Sequence, residues 1–120
     1  MKRTGALLML LGIGLGAFGA HGLEGILTEN DRLSTWQTAV FYHLIHALAI
    51  WVLAYVAPTR SKVAFCFLMG VLVFSGSLYA LSLTNILWLG AITPLGGLLF
   101  LAGWGGLFIW PNVKESDNGH

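Results

Sequence analysis

The stretch between Lys62 and Lys114 contains no charged residue, and this absence constrains the fold more than any other feature of the chain. As one helix rising about 1.5 Å per residue it would be roughly 75 Å long, whereas the hydrocarbon core of a bilayer is about 30 Å thick. The stretch therefore has to cross a membrane twice, and the turn-prone pair Thr84-Asn85 marks the reversal. Two further uncharged stretches lie between Arg3 and Glu24 and between Arg32 and Arg60.

The composition agrees with a membrane protein. Charged residues make up 9% of the chain and hydrophobic residues 57%, whereas a soluble domain carries about 25% charged residues. A chain of 120 residues cannot bury that much apolar surface in one water-soluble core. A net charge of +1 excludes the electrostatic footprint of a nucleic-acid binder, and a single cysteine excludes an intrachain disulfide framework.

The uncharged stretches predict transmembrane helices. Each is near or above the roughly 20 apolar residues that a spanning helix needs, and none alternates polar and apolar residues as a barrel strand does. We therefore expect an all-α fold, a four-helix transmembrane bundle, in a single integral membrane domain over residues 1–120. The predicted spans are residues 5–23, 38–57, 63–83 and 86–110. They leave a tail over residues 111–120 and an outer loop over residues 24–37, which forms either a short surface helix or an irregular segment.

The distribution of lysine and arginine predicts the orientation. Five of these residues fall on one side of the predicted spans, and only Arg32 falls on the other. The five are Lys2, Arg3, Arg60, Lys62 and Lys114. Because cytoplasmic loops carry an excess of lysine and arginine, we expect a multi-pass protein of the cell inner membrane with cytoplasmic N- and C-termini.

Polar residues inside the spans are the candidate functional groups, because an unpaired polar side chain is costly in lipid. The predicted spans contain no Asp, Glu, Lys or Arg, which disfavours ion-coupled pumps. Measured from the outer span ends, most of the remaining polar groups fall in one layer roughly 8–12 Å deep, with His21 near the rim. The candidate ligand-binding pocket comprises His21, Tyr42, His43, His46, Ser75, Ser77, Thr93 and Pro94.

The spacing of these residues adds detail to the pocket. Tyr42, His43 and His46 share one face of the second helix, which we expect to point inward. Burial disfavours the imidazolium form, so both histidines are expected to be neutral. Pro94 cannot donate a hydrogen bond to the carbonyl of Gly90, which predicts a kink in the fourth helix at the depth of the pocket.

Small and aromatic residues predict further contacts of the spans. Small residues spaced four apart favour close helix packing, and tryptophans near span ends favour anchoring at the membrane surface. The small-residue stripes are Gly12-Gly16-Ala20, Gly76-Ala80 and Ala102-Gly106, and the expected anchors are Trp36, Trp88, Trp104 and Trp110.

Four motifs in order along the chain carry a family resemblance. They are GAFGAHGL at 16–23, WQTAV at 36–40 followed by Tyr42-His43 and His46-Ala47-Leu48, FSGSLY at 74–79, and LGAITPLGG at 89–97 followed by Gly103-Trp104. With these motifs the chain resembles the YgdD-like family of small integral membrane proteins. The resemblance implies a four-helix protein of bacterial inner membranes and brings no substrate, reaction or cofactor with it.

Three functional hypotheses follow from these patterns. The first is a non-enzymatic structural or assembly component of the membrane with a polar pocket near the outer leaflet. Its partners would be the lipid bilayer and either a second copy of the chain or another membrane protein, with no nucleic acid and no cofactor. The second is a small permease or channel. The third is a metal- or haem-binding membrane protein that uses His21, His43 and His46, although hydrogen bonding is the commoner role for such histidines.

Overall fold

The structure is a computed structural model, and it describes residues 1–111, which are helical with no strand in that part of the chain. Four segments are long and apolar enough to cross a membrane, so the predicted all-α fold with four transmembrane helices is confirmed. The helices are α1 (Lys2–Ala20), α2 (Glu24–Glu29), α3 (Leu33–Val56), α4 (Ser61–Thr84) and α5 (Thr93–Ile109), with a 3-10 helix (Leu87–Ala91) before α5. Of the predicted tail, residues 112–120 lie outside the described residues.

The predicted outer loop is mostly helical. Its second half belongs to α3, which begins at Leu33 because Leu33 and Trp36 extend the apolar face of that helix by one more turn. Its first half forms α2, the short helix that was one of the two expectations for this segment. The side chain of Leu27 in α2 is fully buried, so the short helix is held against α1, α3 and the C-terminal part of α4.

Hydrogen bonds from the segment after α2 fix the turn between α4 and α5. Asn30 Nδ2 donates to the carbonyl of Ser82 at 3.0 Å, and Arg32 Nε donates to Asn85 Oδ1 at 3.0 Å. Asn85 ends α4 in the left-handed conformation, with φ at 57°, which an asparagine tolerates better than most residues. The reversal predicted at Thr84-Asn85 is thus held by two polar side chains of the preceding loop.

Pro94 does not kink a continuous helix, so that prediction is wrong. The fourth span consists of the 3-10 helix followed by α5, and Pro94 lies in the first turn of α5. Proline is well tolerated there because the first-turn N–H groups of a helix have no intrahelical acceptor.

Consecutive transmembrane helices are neighbours in space. Helix α3 packs between α1 and α4, and α4 packs between α3 and α5. Within α4, the backbone takes one π-helical turn over Val71–Ser75. A π turn shifts the phase of the residues that follow it. Ser75 and Ser77 are two residues apart and point to different sides of the helix, so that Ser75 faces α3 whereas Ser77 faces α5.

Glycines set how closely these helices approach one another. A Cβ atom built on Gly5 would lie 2.7 Å from the backbone nitrogen of Trp51, and one on Gly96 would lie 2.7 Å from Cα of Phe74. These positions bring α1 onto α3 and α5 onto α4 in backbone contact. The expected stripe at Gly76-Ala80 makes no such contact at its glycine, since a Cβ on Gly76 would meet nothing within 4 Å.

Replacing Gly96 by alanine should destabilise the fold. The new methyl group would overlap the backbone of Phe74, which cannot rotate away as a flexible side chain can. Overpacking of this kind costs about 1–3 kcal/mol. The matched control is Gly105→Ala in the same helix, where the added Cβ meets nothing within 4 Å. Unfolding of both variants in mixed micelles, followed by circular dichroism, checks this, and equal stability of the two would contradict the packing described.

Candidate functional site

The imidazole of His43 connects three helices. Its Nε2 lies 2.7 Å from the carbonyl oxygen of Leu8 in α1, and its Nδ1 lies 2.8 Å from Oη of Tyr79 in α4. A carbonyl only accepts hydrogen bonds, so Nε2 carries the proton and donates, and the Tyr79 hydroxyl donates to Nδ1. The neutral ring of His43, which is 3% exposed, therefore has both nitrogens in use.

Small and aromatic neighbours make this contact possible. A Cβ on Gly12 would lie 3.3 Å from His43 Nε2, so the glycine leaves room for the imidazole to reach α1. On the other side, the ring of Tyr79 lies 4.7 Å from the ring of Trp36, centroid to centroid. Trp36 is buried and its Nε1–H donates to the carbonyl of Leu15 at 2.9 Å. The prediction of Trp36 as a surface anchor is therefore wrong, because it forms a second polar bond between α3 and α1.

His46 connects α3 to α5 with the opposite tautomer. Its Nδ1 lies 2.8 Å from the carbonyl oxygen of Tyr42, so Nδ1 donates. Its Nε2 accepts from Nε1–H of Trp104 at 2.9 Å. The imidazole also stacks on Phe100 with 3.6 Å between ring centroids and 10° between ring planes. Trp104, which sequence reasoning also assigned to the membrane surface, is instead the hydrogen-bond partner of His46.

Hydroxyl groups connect α4 to the helices on either side. Ser75 is fully buried, and its Oγ donates to the carbonyl of Ala39 in α3 at 2.8 Å. The hydroxyl oxygens of Ser77 and Thr93 lie 2.6 Å apart and join α4 to the first residue of α5. These polar side chains therefore link neighbouring helices.

A groove of about 500 Å³ runs between α3 and α5. It is lined by Tyr42, His46, Phe74, Pro94, Gly97, Leu98, Phe100, Leu101 and Trp104, which we call the α3–α5 groove. The rings of Tyr42, His46 and Phe100 are almost parallel, with 7° between the first two and 10° between Tyr42 and Phe100. Tyr42 is 38% exposed, and its hydroxyl makes no hydrogen bond within the described part of the chain.

The structure places the residues of the sequence-predicted pocket in several locations. Tyr42, His46 and Pro94 line the α3–α5 groove. His43, Ser75, Ser77 and Thr93 form the helix contacts described above. His21 follows the last residue of α1 and is exposed.

The three histidines proposed as metal ligands do not converge. Among residues 1–111, no group of three or more His, Cys, Asp or Glu side chains is arranged to hold a metal ion. The ring nitrogens of His43 and His46 are hydrogen-bonded to Leu8, Tyr79, Tyr42 and Trp104. Within residues 1–111 the geometry therefore lends no support to a metal or haem site formed by His21, His43 and His46, and that hypothesis stays a prediction.

Four apolar helices joined by buried polar side chains define a polytopic α-helical integral membrane protein. Residues 15–97 match the family described as Protein of unknown function (DUF423), and the chain belongs to this family. The resemblance stated from the motifs is confirmed at that level, as membership of a family of uncharacterised membrane proteins.

Two relatives illustrate the similarity. The chain is 48% identical over 106 residues to the UPF0382 membrane protein YwdK of Bacillus subtilis, covering 83% of this chain and 85% of that protein. It is 48% identical over 104 residues to the UPF0382 membrane protein SH2409 of Staphylococcus haemolyticus, covering 83% of this chain and 84% of that protein. No solved structure matches the chain.

The two buried histidines should occupy opposite neutral tautomers. The hydrogen-bond partners require the proton on Nε2 in His43 and on Nδ1 in His46. Long-range ¹H–¹⁵N correlation spectra of histidine-labelled protein in micelles distinguish the two forms. His43→Gln and His46→Gln variants assign the signals. Identical tautomers, or a charged ring at neutral pH, would contradict the bonds described.

Removal of the Tyr79 hydroxyl should destabilise the protein, whereas removal of the Tyr42 hydroxyl should not. Tyr79→Phe leaves His43 Nδ1 without a donor, which costs about 0.5–1.5 kcal/mol. Tyr42→Phe is the matched control because its hydroxyl has no partner among the described residues. Unfolding curves of the two variants in mixed micelles check this, and an equal loss of stability in both would argue against the bridging role of Tyr79.

Proposed function

We propose that this protein is a non-enzymatic structural or assembly component of the cell inner membrane, with both termini in the cytoplasm. The observation that carries the proposal is that the buried polar groups are already hydrogen-bonded within the protein. The ring nitrogens of His43 and His46 and the hydroxyls of Ser75 and Ser77 all bond to neighbouring helices or to their own helix. A catalytic acid, base or ligand needs a nitrogen or oxygen free to meet the substrate.

The distribution of charge supports the proposed orientation. Within the described residues, the ends of the helices carrying Lys2, Arg3, Arg60 and Lys62 contain no acidic residue, whereas Glu24, Glu29 and Asp31 lie at the opposite end. The positive-inside rule assigns the basic end to the cytoplasm.

The α3–α5 groove is the face that we assign to the assembly partner, and the occupant that fits it is a transmembrane helix of another protein. Tyr42 lies four residues after Thr38, where the predicted span begins, or roughly 6 Å below the expected membrane edge. A lipid tail lying in the groove offers only hydrocarbon, which cannot pair with the Tyr42 hydroxyl. A partner helix supplies carbonyl and side-chain oxygens that can accept its hydrogen bond.

The same groove favours assembly over transport of a polar solute. Its walls are mostly aromatic and aliphatic side chains, and it lies between helices that are neighbours of α4. A permeation path for a polar solute requires polar groups along its length. Apart from Tyr42, the polar side chains of the spans described above are instead paired within helix contacts.

Site-specific photocrosslinking in intact membranes tests the proposal. A benzophenone amino acid is placed at Leu101, which lines the groove and is 69% exposed. The control position is Leu10, which is 68% exposed on α1 and does not line this groove. We expect one protein adduct of defined mass from Leu101 and none from Leu10. The adduct should weaken when Tyr42→Phe is added, because the partner then loses a hydrogen bond.

Other outcomes separate the alternatives. An adduct of twice the monomer mass would identify the partner helix as a second copy of this chain and would contradict assembly with another protein. Equal adducts from both positions, or lipid adducts alone, would contradict a partner-specific groove. Solute flux in liposomes containing the purified protein, above that of empty vesicles, would support the permease hypothesis instead.

A further inference from the structure

A second cleft, distinct from the α3–α5 groove, opens at the basic end of the molecule. Its volume is about 480 Å³, and it is lined by Met1, Lys2, Arg3, Ala54, Pro58 and Ser61. We call it the basic cleft. It lies where α1 begins, where α3 ends and where α4 begins.

A glycine contact brings the beginning of α1 against the end of α3. Gly5 lies in backbone contact with Trp51, which holds the first turn of α1 against the last turns of α3. Lys2 is oriented by the ring of Tyr55, whose centroid lies 4.4 Å from Nζ. A cation–π contact of this kind positions the ammonium group without neutralising its charge. The Arg3 side chain is exposed.

The electrostatics of the basic cleft favour an anion. The acidic residues of the described chain, Glu24, Glu29 and Asp31, all lie around α2 at the opposite end. Neither α1 nor α4 has an acidic residue in its first turn or a side-chain cap at its N-terminus. The first-turn N–H groups of both helices therefore add partial positive charge to that of the two side chains.

We propose that the basic cleft binds the phosphate group of an anionic phospholipid, with Lys2 and Arg3 as its ligands. A guanidinium group forms paired hydrogen bonds with phosphate oxygens, and an ammonium group acts as a point charge. The cleft lies at the ends of membrane-spanning helices, which is the depth of lipid headgroups. Inorganic phosphate offers the same chemistry, so the test has to separate the two sources. The proposal does not depend on the α3–α5 groove or on its partner.

Native mass spectrometry of the full-length protein in mild detergent tests the assignment. The probes are phosphatidylglycerol, phosphatidylcholine with the same acyl chains, and inorganic phosphate. We expect retention of phosphatidylglycerol in preference to phosphatidylcholine, with inorganic phosphate a weak competitor. Arg3→Gln should reduce phosphatidylglycerol binding roughly fivefold, as expected for one cation at a membrane surface, and Arg3→Lys should retain most of it.

The matched control is Lys62→Gln, which removes one positive charge at the same end from a residue that does not line the basic cleft. We expect it to change binding less than twofold.

Equal losses in Arg3→Gln and Lys62→Gln would show attraction to the whole basic end and overturn the site. Equal binding of the two lipids would also overturn it. Displacement of the lipid by an equal concentration of inorganic phosphate would overturn the phospholipid assignment. Thermal unfolding of each variant establishes that it is folded, and none of these readouts depends on the partner crosslink.

Discussion

The imidazole of His43 is in contact with three of the four transmembrane helices, and the position of α1 depends on it. In lipid, apolar helices gain little from burying apolar surface against one another, so close packing and hydrogen bonds decide which faces meet. His43 supplies two bonds in opposite directions, to the Leu8 carbonyl and the Tyr79 hydroxyl. A serine or threonine in its place is too short to reach both. Gly12 is also required, because the absence of a side chain there leaves room for the His43 ring to reach the backbone of α1.

Helices α4 and α5 are held together by the same two kinds of contact, which are close backbone packing at glycine and buried hydrogen bonds between polar side chains. Gly96 brings α5 onto the backbone of Phe74, while Ser77 and Thr93 join the same two helices by a hydrogen bond. His46 then connects α3 to Trp104 of α5, although these helices are not adjacent along the chain. In α4, Ser75 bonds to α3 and Ser77, two residues further on, bonds to α5. Each transmembrane helix is thereby tied to its neighbours by at least one polar bond.

The number of transmembrane helices was predictable because charges are excluded from the hydrocarbon core, and the positions of charged residues can be read directly from the sequence. The inward face of α3 was also predictable from the spacing of His43 and His46. Trp36 was missed, yet it lies seven residues before His43, and Ile50 lies seven after it; all three are buried on one face. That spacing was a better guide to Trp36 than its position near a span end.

The partners of the histidines were not predictable, because periodicity gives the face of a helix and not the residue opposite it. Likewise a glycine stripe shows where close approach is allowed, and Gly76 shows that allowed contacts are not always made.

Interior chemistry and surface chemistry have separate roles in this chain. The buried nitrogens and hydroxyls hold the helices in register, and a change at any of them alters the fold before it alters recognition. Specific recognition therefore has to come from groups that the fold leaves without partners. The Tyr42 hydroxyl in the α3–α5 groove is one such group, and the basic cleft adds the exposed cations Lys2 and Arg3, which have no acidic partner among the described residues. In the two proposals, the hydroxyl takes a hydrogen-bond acceptor from a partner helix, whereas the cleft takes an anion at headgroup depth. The proposed partner helix and the proposed lipid headgroup would therefore occupy different surfaces of the protein.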